Sequence, residues 1–515
     1  MSTENLSMFK AYDIRTKNNK LSNESLIILT KAVVKYYKEN LKIDSVFLGR
    51  DARLHCPKIM EALLEEFLCA GIEVYYNPIQ ISTCQFYFTC MQKPQSAGIM
   101  ITASHNPGEY VGLKLVGQKV SPIATDCGPE GGIAKIKEYY INEQSAAKST
   151  TKAKAHVLQL QREYVDYSMK LAGVKEGDLK GLKVFGEFLS GSSGADFALA
   201  FEKAGADYTL SHSVPDGFFP SGDPNPIIES SIAPSRELVK NGDFDLGFCF
   251  DGDGDRMDLM YSDGTQVIPG LNMSLLIPYI KQIFYPVFGK DYQYKFFVDV
   301  KAIPLAIIQI AKAGIQPHII RNGHSFIKAK LNQYQNQGYL ASEEESAHYY
   351  MNFPLDANDL SKGFIATENT LFFALLSARA YKDNPKAYEQ IRKLQDGVIR
   401  FREWPVSFSK GDEMPKLMND VETYMKNKGA LVIKDMDDGS DLDATLLRFN
   451  LPESFASGDI EVPEQWAQVA TRISRSEDAM TRFEVVASSE KVCKELNDAV
   501  IEMANKYVSQ GFATL

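Results

Sequence analysis

The chain has 515 residues, of which 44% are apolar and 24% charged, and 56 Lys and Arg residues against 66 Asp and Glu residues give a net charge of −10. This composition is typical of a soluble globular protein, and the aromatic content of 11% argues against intrinsic disorder. The acidic balance provides no sequence-wide basic field, so we expect neither a nucleic acid nor a membrane as a partner. At roughly 100 to 200 residues per domain, the length predicts about three or four domains.

The cysteine pattern predicts reduced thiols. The seven cysteines are scattered, odd in number and contain no Cys-x-x-Cys pair, which argues against a disulfide framework or a zinc site. No stretch resembles a signal peptide, and no apolar run approaches the roughly 18 residues that a membrane span requires. We therefore expect a cytoplasmic protein.

Three segments repeat one plan: a short strand, a helix that ends at Ala-Gly, and a second strand. The predicted helices, each with its terminal glycine, are 57–70 with Gly71, 193–204 with Gly205, and 304–313 with Gly314. Glycine suits the left-handed residue that follows a helix. The glycines are 205 − 71 = 134 and 314 − 205 = 109 residues apart, which is too long for a solenoid and fits tandem α/β domains.

The pattern changes beyond about Gly397. Strands over 444–449 and 483–486 and a helix over 490–508 predict an α+β domain with a mostly antiparallel sheet. A segment over 142–155, rich in Ala, Lys, Ser and Thr, is the predicted first linker. We therefore predict three tandem α/β mixed-sheet domains and a C-terminal α+β domain. The predicted boundaries are 1–150, 151–262, 263–395 and 396–515.

The first candidate loop follows a strand over 98–101 and presents a serine, because ligands of open α/β sheets collect at the carboxyl ends of strands. It reads TASHNP over 102–107, and Asn-Pro predicts a tight turn carrying Ser104 with His105 beside it. Adjacent side chains rarely meet in hydrogen-bonding geometry and no Gly-x-Ser-x-Gly surrounds the pair, so we expect no hydrolase triad. Taken alone, the loop also fits a plain polar turn.

The second candidate loop follows a strand over 245–250 and carries Asp251, Asp253 and Asp255, separated by glycines. Three carboxylates at this spacing can converge on one ion if the backbone curls, and such oxygen ligands suit Mg²⁺. An EF-hand is excluded because the required Gly and Glu are absent from loop positions 6 and 12. An acidic surface turn is the alternative, although three uncompensated carboxylates after a buried strand are electrostatically costly.

The third candidate loop, over 343–348, follows a strand near 338–340 and reads EEESAH. Its side chains could hydrogen-bond a sugar, or they could form a solvated helix start with acidic residues at its positive end. No nucleotide fingerprint is present, and the GSSG stretch over 191–194 predicts a strand-to-helix turn.

Taken together, these loops resemble the α-D-phosphohexomutase superfamily, the phosphomannomutase and phosphoglucomutase group, over nearly the whole chain. Besides the serine, metal and sugar loops, the matching segments are 9–15 (FKAYDIR), 49–53 (GRDAR), 110–114 (YVGLK), 299–301 (DVK), 323–328 (GHSFIK) and 472–477 (RISRSE). The resemblance implies the phosphohexomutase fold, with four domains around a central cleft.

The resemblance also implies a mechanism. Ser104 would carry a phosphoryl group, and Ser104, Asp251, Asp253 and Asp255 would hold Mg²⁺. The other catalytic residues implied are His105, Lys114, Arg15, Arg256 and His324, with Lys114 and His324 as candidate general base or acid in an order left open. Residues implied to bind substrate are Tyr12, Lys301, Glu344, Ser346, His348, Arg472, Ser474 and Ser476.

The expected activity is the interconversion of hexose 6-phosphate and hexose 1-phosphate through a hexose 1,6-bisphosphate. His348, typical of mannose-accepting branches, favours phosphomannomutase, with phosphoglucomutase as an added activity. Glu343 and Ala347 replace common glycines, and Glu345 adds a carboxylate that would repel a phosphosugar if it pointed inward. The alternatives are a hexose bisphosphate synthase and a catalytically slow phosphosugar-binding regulatory protein. We expect a monomer or homodimer.

Overall fold

The structure is a computed structural model that describes residues 5–125, 127–409, 411–455, 461, 463–474 and 479–515. The chain divides into two compact units. The first unit comprises the described residues up to Val267, together with His324–Asn336 and Ser346–Asp383. The second unit comprises Ile268–Gly323, Gln337–Glu345 and the described residues from Asn384 onward.

A mixed sheet opens the first unit. Its elements are β1 (Ile14–Lys17), α1 (Asn23–Glu39), β2 (Ser45–Arg50), α2 (Cys56–Cys69), β3 (Glu73–Tyr76), α3 (Thr83–Gln92), β4 (Ala97–Ile101), β5 (Tyr110–Val116), β6 (Pro122–Ile123), α4 (Ile133–Ile141) and β7 (Ala155–Val157). The strand order is β1-β5-β4-β2-β3-β7, with β6 paired to β5. Strands β2, β3, β4 and β7 run parallel and β1 and β5 antiparallel to their neighbours. The buried apolar runs of β2 and β4 are typical of strands covered on both faces.

A second mixed sheet of the first unit follows. Its elements are α5 (Gln161–Ala172), β8 (Lys183–Glu187), α6 (Gly194–Ala204), β9 (Asp207–Ser211), α7 (Glu229–Asn241), β10 (Leu246–Phe250) and β11 (Met257–Tyr261). The strand order is β11-β10-β8-β9, in which only β11 is antiparallel. Helix α6 ends at Gly205, whose φ of 77° is the left-handed conformation that glycine adopts readily.

The next part of the chain alternates between the units. Its elements are α8 (Pro269–Phe288), β12 (Lys295–Asp299), α9 (Pro304–Lys312), β13 (Gln316–Ile320), α10 (His324–Tyr334), β14 (Tyr339–Glu344), β15 (His348–Pro354), β16 (Phe364–Glu368) and α11 (Thr370–Asp383). In the second unit, β12 lies between β13 and β14 and is parallel to both. In the first unit, β15 and β16 form an antiparallel pair, and α10 packs against both strands.

An antiparallel sheet completes the second unit. Its elements are α12 (Pro385–Asp396), β17 (Ile399–Phe408), α13 (Met414–Asn427), β18 (Leu431–Asp435), β19 (Asp441–Phe449), β20 (Ala467–Ile473), β21 (Met480–Ala487), α14 (Glu490–Ser509) and β22 (Ala513–Thr514). The strand order is β18-β19-β20-β21-β17-β22. Helices α13 and α14 pack on this sheet over a core that includes Leu417, Val469 and Val500.

The observed elements confirm the predicted α/β class, with mixed sheets followed by a C-terminal α+β region. The three predicted helices with terminal glycines are present as α2, α6 and α9. The GSSG stretch provides the predicted turn between β8 and α6 over 191–193, and its last residue, Gly194, begins α6. The four domain boundaries stay a prediction. All seven cysteines are free thiols, and none of the described helices is long and apolar enough to cross a membrane.

The prediction of a loop over 343–348 is wrong at Glu343, Glu344 and His348, which lie in strands. Glu343 and Glu344 are the last two residues of β14, because the parallel ladder with β12 continues as far as the pair Val298 and Glu343. The turn is confined to residues 345–347, with Ala347 in the left-handed region at φ 65°, and His348 already begins β15. The alternative of a solvated helix start is therefore also wrong.

Candidate active site

Ser104 lies in the loop that leaves the carboxyl end of β4, as the sequence predicts. The residue is buried and adopts the left-handed conformation at φ 52°, although it is not a glycine. Its hydroxyl donates to Asp251 Oδ2 at 3.3 Å and lies 3.2 Å from His105 Nδ1. The expectation that adjacent Ser and His side chains do not meet is thus wrong here. We attribute the contact to the left-handed backbone, which allows both side chains to face the same side of the loop.

The three aspartates follow β10 and are almost completely inaccessible to solvent. Asp251 Oδ1 accepts the backbone N–H groups of Asp255 and Arg256, which curls the loop. One oxygen from each aspartate lies within 4.8 Å of the others. Among the described residues, Asp253 Oδ1 and Asp255 Oδ1 have no hydrogen-bond partner. Buried carboxylate oxygens without donors are costly, and a hard divalent cation such as Mg²⁺ fits this donor set.

Lys114, on β5, balances part of this negative charge. Its ammonium donates to Asp253 Oδ2 at 2.7 Å and also pairs with Asp255 Oδ2. Burial alone would lower the pKa of Lys114, but the two carboxylates raise it above its usual range. Burial, reinforced by repulsion from the neighbouring aspartates, raises the pKa of Asp251 well above its usual range. Arg256 Nε lies 3.8 Å from Asp251 Oδ2, so two cationic side chains face three carboxylates at this loop.

Arg256 and His348 form a second contact group at this loop. Arg256 Nε donates to His348 Nε2 at 3.1 Å, which assigns the imidazole proton to Nδ1. His348 Nδ1 lies 3.7 Å from Asp255 Oδ1 and 3.8 Å from Glu368 Oε1. Burial raises the pKa of Glu368 to about 7, although its partner Lys328 at 2.9 Å opposes the shift. His348 is thus tied to the metal loop of its own unit.

Arg15, Tyr12 and His324 belong to the same unit. Arg15 pairs with Asp13 and donates to Asn106 Oδ1 of the serine loop. The rings of Tyr12 and His324 meet edge to face with centroids 5.6 Å apart. Burial, reinforced by nearby Arg and Lys side chains, holds the pKa values of His105, His324 and His348 well below their usual range, so these imidazoles are neutral at pH 7.

The remaining predicted site residues are divided between the two units. Ser346 is in the turn before β15, in the first unit. Lys301, Glu344, Arg472 and Ser474 belong to the second unit. Ser476 lies outside the described residues.

In the second unit, Asn322 Nδ2 and the backbone N–H of Gly323 donate to Glu344 Oε1. Arg472 donates to Glu403 at 2.6 Å. Burial alone would raise the pKa of Glu403, but the positive charges of Lys301 and Arg472 lower it to about 2.

Sequence reasoning missed four residues that touch these groups. Thr83 donates to Asp253 Oδ2 at 2.6 Å, and the Lys328–Glu368 pair lies beside His348. Arg53 donates to Ser104 O at 2.7 Å. Arg53 and Lys328 do occur in matching segments of the sequence, but without an assigned role. No sequence pattern points to Thr83 or Glu368, because each reaches the site only through the fold.

Comparison with known proteins identifies a family that the chain resembles in sequence. Residues 6–140 match the family described as phosphoglucomutase/phosphomannomutase, alpha/beta/alpha domain I, and residues 162–264 match domain II. A phosphomannomutase of Escherichia coli is 30% identical over 350 residues, which cover 67% of this chain and 73% of that protein. A phosphoglucomutase of Neisseria meningitidis is 27% identical over 351 residues, covering 67% and 70%.

A solved structure extends the likeness over the whole chain. A phosphoglucomutase/phosphomannomutase family protein from Burkholderia thailandensis superposes with a TM-score of 0.75 at 21% identity and covers 98% of both chains. At that identity the superposition shows the fold alone. With the sequence matches, the chain belongs to the phosphoglucomutase/phosphomannomutase family of the α-D-phosphohexomutase superfamily. Its relatives support a phosphohexomutase activity.

Proposed function

We propose that the protein is a Mg²⁺-dependent phosphohexomutase that interconverts hexose 6-phosphate and hexose 1-phosphate through a phosphoserine and a hexose 1,6-bisphosphate. The observation that carries the proposal is the contact between Ser104 Oγ and Asp251 beside two unpartnered aspartate oxygens. A hydroxyl at the edge of a cation-deficient carboxylate cluster suits a phosphoryl carrier, because such a transfer depends on positioning and charge neutralisation.

In this mechanism Ser104 carries the phosphoryl group. Asp251, Asp253 and Asp255 would hold Mg²⁺, which would supply positive charge against the transferred phosphoryl group. Arg15 and Arg256 grip phosphoryl oxygens, since a planar guanidinium offers two parallel donors. Neutral His105, beside Ser104 Oγ, is placed to exchange a proton with that oxygen.

Lys114 and His324 are the proposed acid and base for the sugar hydroxyl. Lys114 is strongly bound to two carboxylates, which keeps its ammonium protonated, whereas His324 is neutral. The order of the two roles stays open, because the carboxylates that keep Lys114 protonated also hold its proton tightly. Residues of the second unit, Lys301, Glu344, Arg472 and Ser474, are the proposed ligands of the sugar hydroxyls and of the phosphate that is not transferred.

The proposed substrate is mannose phosphate, with glucose phosphate as a second substrate. Relatives that match at about 27 to 30% identity carry both names, phosphomannomutase and phosphoglucomutase. We also propose a cytoplasmic location and a monomeric or homodimeric state.

The test is a coupled assay on mannose 1-phosphate and glucose 1-phosphate with Mg²⁺ and a catalytic amount of the bisphosphate. We expect the wild type to convert both sugars, and Ser104→Ala to convert neither. Intact-mass analysis should find one phosphate that Ser104→Ala lacks and that a control at exposed Ser121, Ser121→Ala, retains. Turnover of neither sugar by the wild type would overturn the proposal. Release of bisphosphate as the end product would identify a bisphosphate synthase.

A further inference from the structure

Arg53 has no role in the proposed mechanism, yet its side chain makes four hydrogen bonds to the backbone of the serine loop. The side chain is completely buried in the first unit, between β2 and α2. Nη2 donates to the carbonyls of Ser104 at 2.7 Å and Asn106 at 2.6 Å. Nη1 donates to the carbonyls of Pro107 at 2.6 Å and Tyr110 at 3.2 Å. One guanidinium thus holds four carbonyls between residues 104 and 110.

The guanidinium is itself fixed by its surroundings. Arg53 Nε donates to Asp51 Oδ2 at 3.0 Å, and the same oxygen accepts the Thr102 hydroxyl at 2.7 Å. Thr102 Oγ1 in turn accepts the backbone N–H of Ser104 at 2.9 Å. The hydrogen bonds therefore form a closed ring through Arg53, Asp51, Thr102 and Ser104. The aromatic side chain of Phe219 packs on the guanidinium, with its centroid 5.1 Å away.

The ring of hydrogen bonds explains how Ser104 keeps its left-handed backbone conformation. A serine in the left-handed region persists only where surrounding contacts determine the conformation, and here both the N–H and the C=O of Ser104 are bonded within the ring. Because the backbone polar groups are used on the Arg53 side, the hydroxyl remains directed to Asp251 and His105.

We propose that Arg53 is a positioning residue for phosphoryl transfer, which sets the rate of transfer by holding Ser104 against the metal loop and does not bind the sugar phosphate. This inference rests on the proposed function. Lysine cannot replace Arg53, because an ammonium keeps the charge but has three donors and lacks the planar fork that serves the four carbonyls and Asp51 at once.

The test compares Arg53→Lys with Arg236→Lys in the full-length protein. Arg236 is a matched control, since it also donates to a loop carbonyl, that of Gly264 at 3.0 Å, and pairs with Glu229. For Arg53→Lys we expect kcat to fall about 100-fold while KM stays within about threefold, since transition-state positioning alone is lost. Arg236→Lys should match the wild type in both constants.

Hydrogen exchange supplies a readout that does not depend on activity. In Arg53→Lys we expect faster exchange confined to the peptide that carries residues 102–112, with unchanged exchange in β10 and α6. If Arg53→Lys fails to fold, Thr102→Val opens the same ring from the other side with little change in volume, and should lower kcat about tenfold.

The remaining outcomes overturn the inference. They are a near-normal kcat with unchanged exchange, a change in KM alone, and faster exchange throughout the chain. A wild type without mutase activity would instead refute the proposed function, and the exchange measurement would still decide whether Arg53 holds the loop.

Discussion

The aspartate loop of the first unit and the charged cluster of the second unit both concentrate carboxylates, but they balance them differently. At the aspartate loop, Lys114 binds two of the three aspartates and Arg256 lies 3.8 Å from the third, while two aspartate oxygens have no hydrogen-bond partner among the described residues. In the second unit, Arg400 binds Glu345 and Glu484, and Arg472 and Arg482 bind Glu403. The first arrangement sets two cationic side chains against three carboxylates and calls for an added cation, whereas the second pairs three glutamates with three guanidinium groups, although Glu345 Oε1 also has no hydrogen-bond partner among the described residues. The difference also answers the sequence-based concern about Glu345, whose charge is compensated by Arg400.

The largest expected effect is the loss of the metal site. Asp253→Asn should lower mutase activity by at least about 10³-fold, because it removes a charged oxygen ligand from the cluster on which phosphoryl transfer depends. Titration with Mn²⁺ should show the loss of binding independently of activity. The control is Asp243→Asn, which changes a largely exposed aspartate paired with Lys183. A near-full rate of Asp253→Asn without added metal would contradict the Mg²⁺ assignment. The aspartate loop, like the cluster of the second unit, would then need no added cation.

Lys114→Met should lower kcat about 100-fold, since it removes both a candidate acid–base residue and the ammonium that balances two aspartates. Removing one partner of a buried ion pair also destabilises the fold. We expect a lower thermal midpoint in EDTA, and a larger rise on adding Mg²⁺ than the wild type shows, because the ion then becomes the main counter-charge. If Mg²⁺ stabilised the variant and the wild type equally, Lys114 and the ion would not share the same carboxylates.

Arg400→Met should destabilise the protein by about 2 kcal/mol, because Glu345 and Glu484 both lose their partner. This value is smaller than the usual cost of breaking a fully buried ion pair. The double variant Arg400→Met with Glu345→Met should recover at least half of that loss, as measured by urea unfolding in a double-mutant cycle. Lys434→Met, which breaks the more exposed pair with Glu422, should change stability by less than about 0.5 kcal/mol. Strictly additive effects would show that Arg400 and Glu345 are not coupled.

Sequence patterns predicted the elements that carry the serine and metal loops because local rules determine them. The buried apolar strands β4 and β10 end at polar residues, and glycines end the helices, so Ser104 and the three aspartates could be placed at strand ends. The neighbours of these loops could not be predicted, since Arg53, Thr83 and Glu368 reach them only through tertiary packing. The end of β14 was also unpredictable, because three successive glutamates do not read as a buried strand.

Glu343 differs from the carboxylates of both charged clusters in having no hydrogen-bond partner for either oxygen among the described residues, and its replacement has the smallest expected effect. Its side chain is fully buried against Gly270 of α8. Burial, reinforced by repulsion from Glu345 and Asp299, raises the pKa of Glu343 well above its usual range. We therefore expect the folded protein to keep this carboxyl protonated at pH values where the unfolded chain has released the proton.

Glu343→Gln should accordingly become more stable than the wild type as the pH rises. Between the usual pKa of a glutamate and the raised pKa, the folded wild type binds one proton more than the unfolded chain, so its free energy of unfolding falls by up to about 1.4 kcal/mol per pH unit. The variant lacks this loss. Thermal midpoints at pH 5, 6, 7 and 8 should diverge progressively, whereas Glu422→Gln, which changes a carboxylate of the more exposed pair with Lys434, should show no such divergence. A constant difference across this range would mean that Glu343 is ionised in the folded protein, in which case the second unit, like the aspartate loop, would hold a carboxylate that requires a cation.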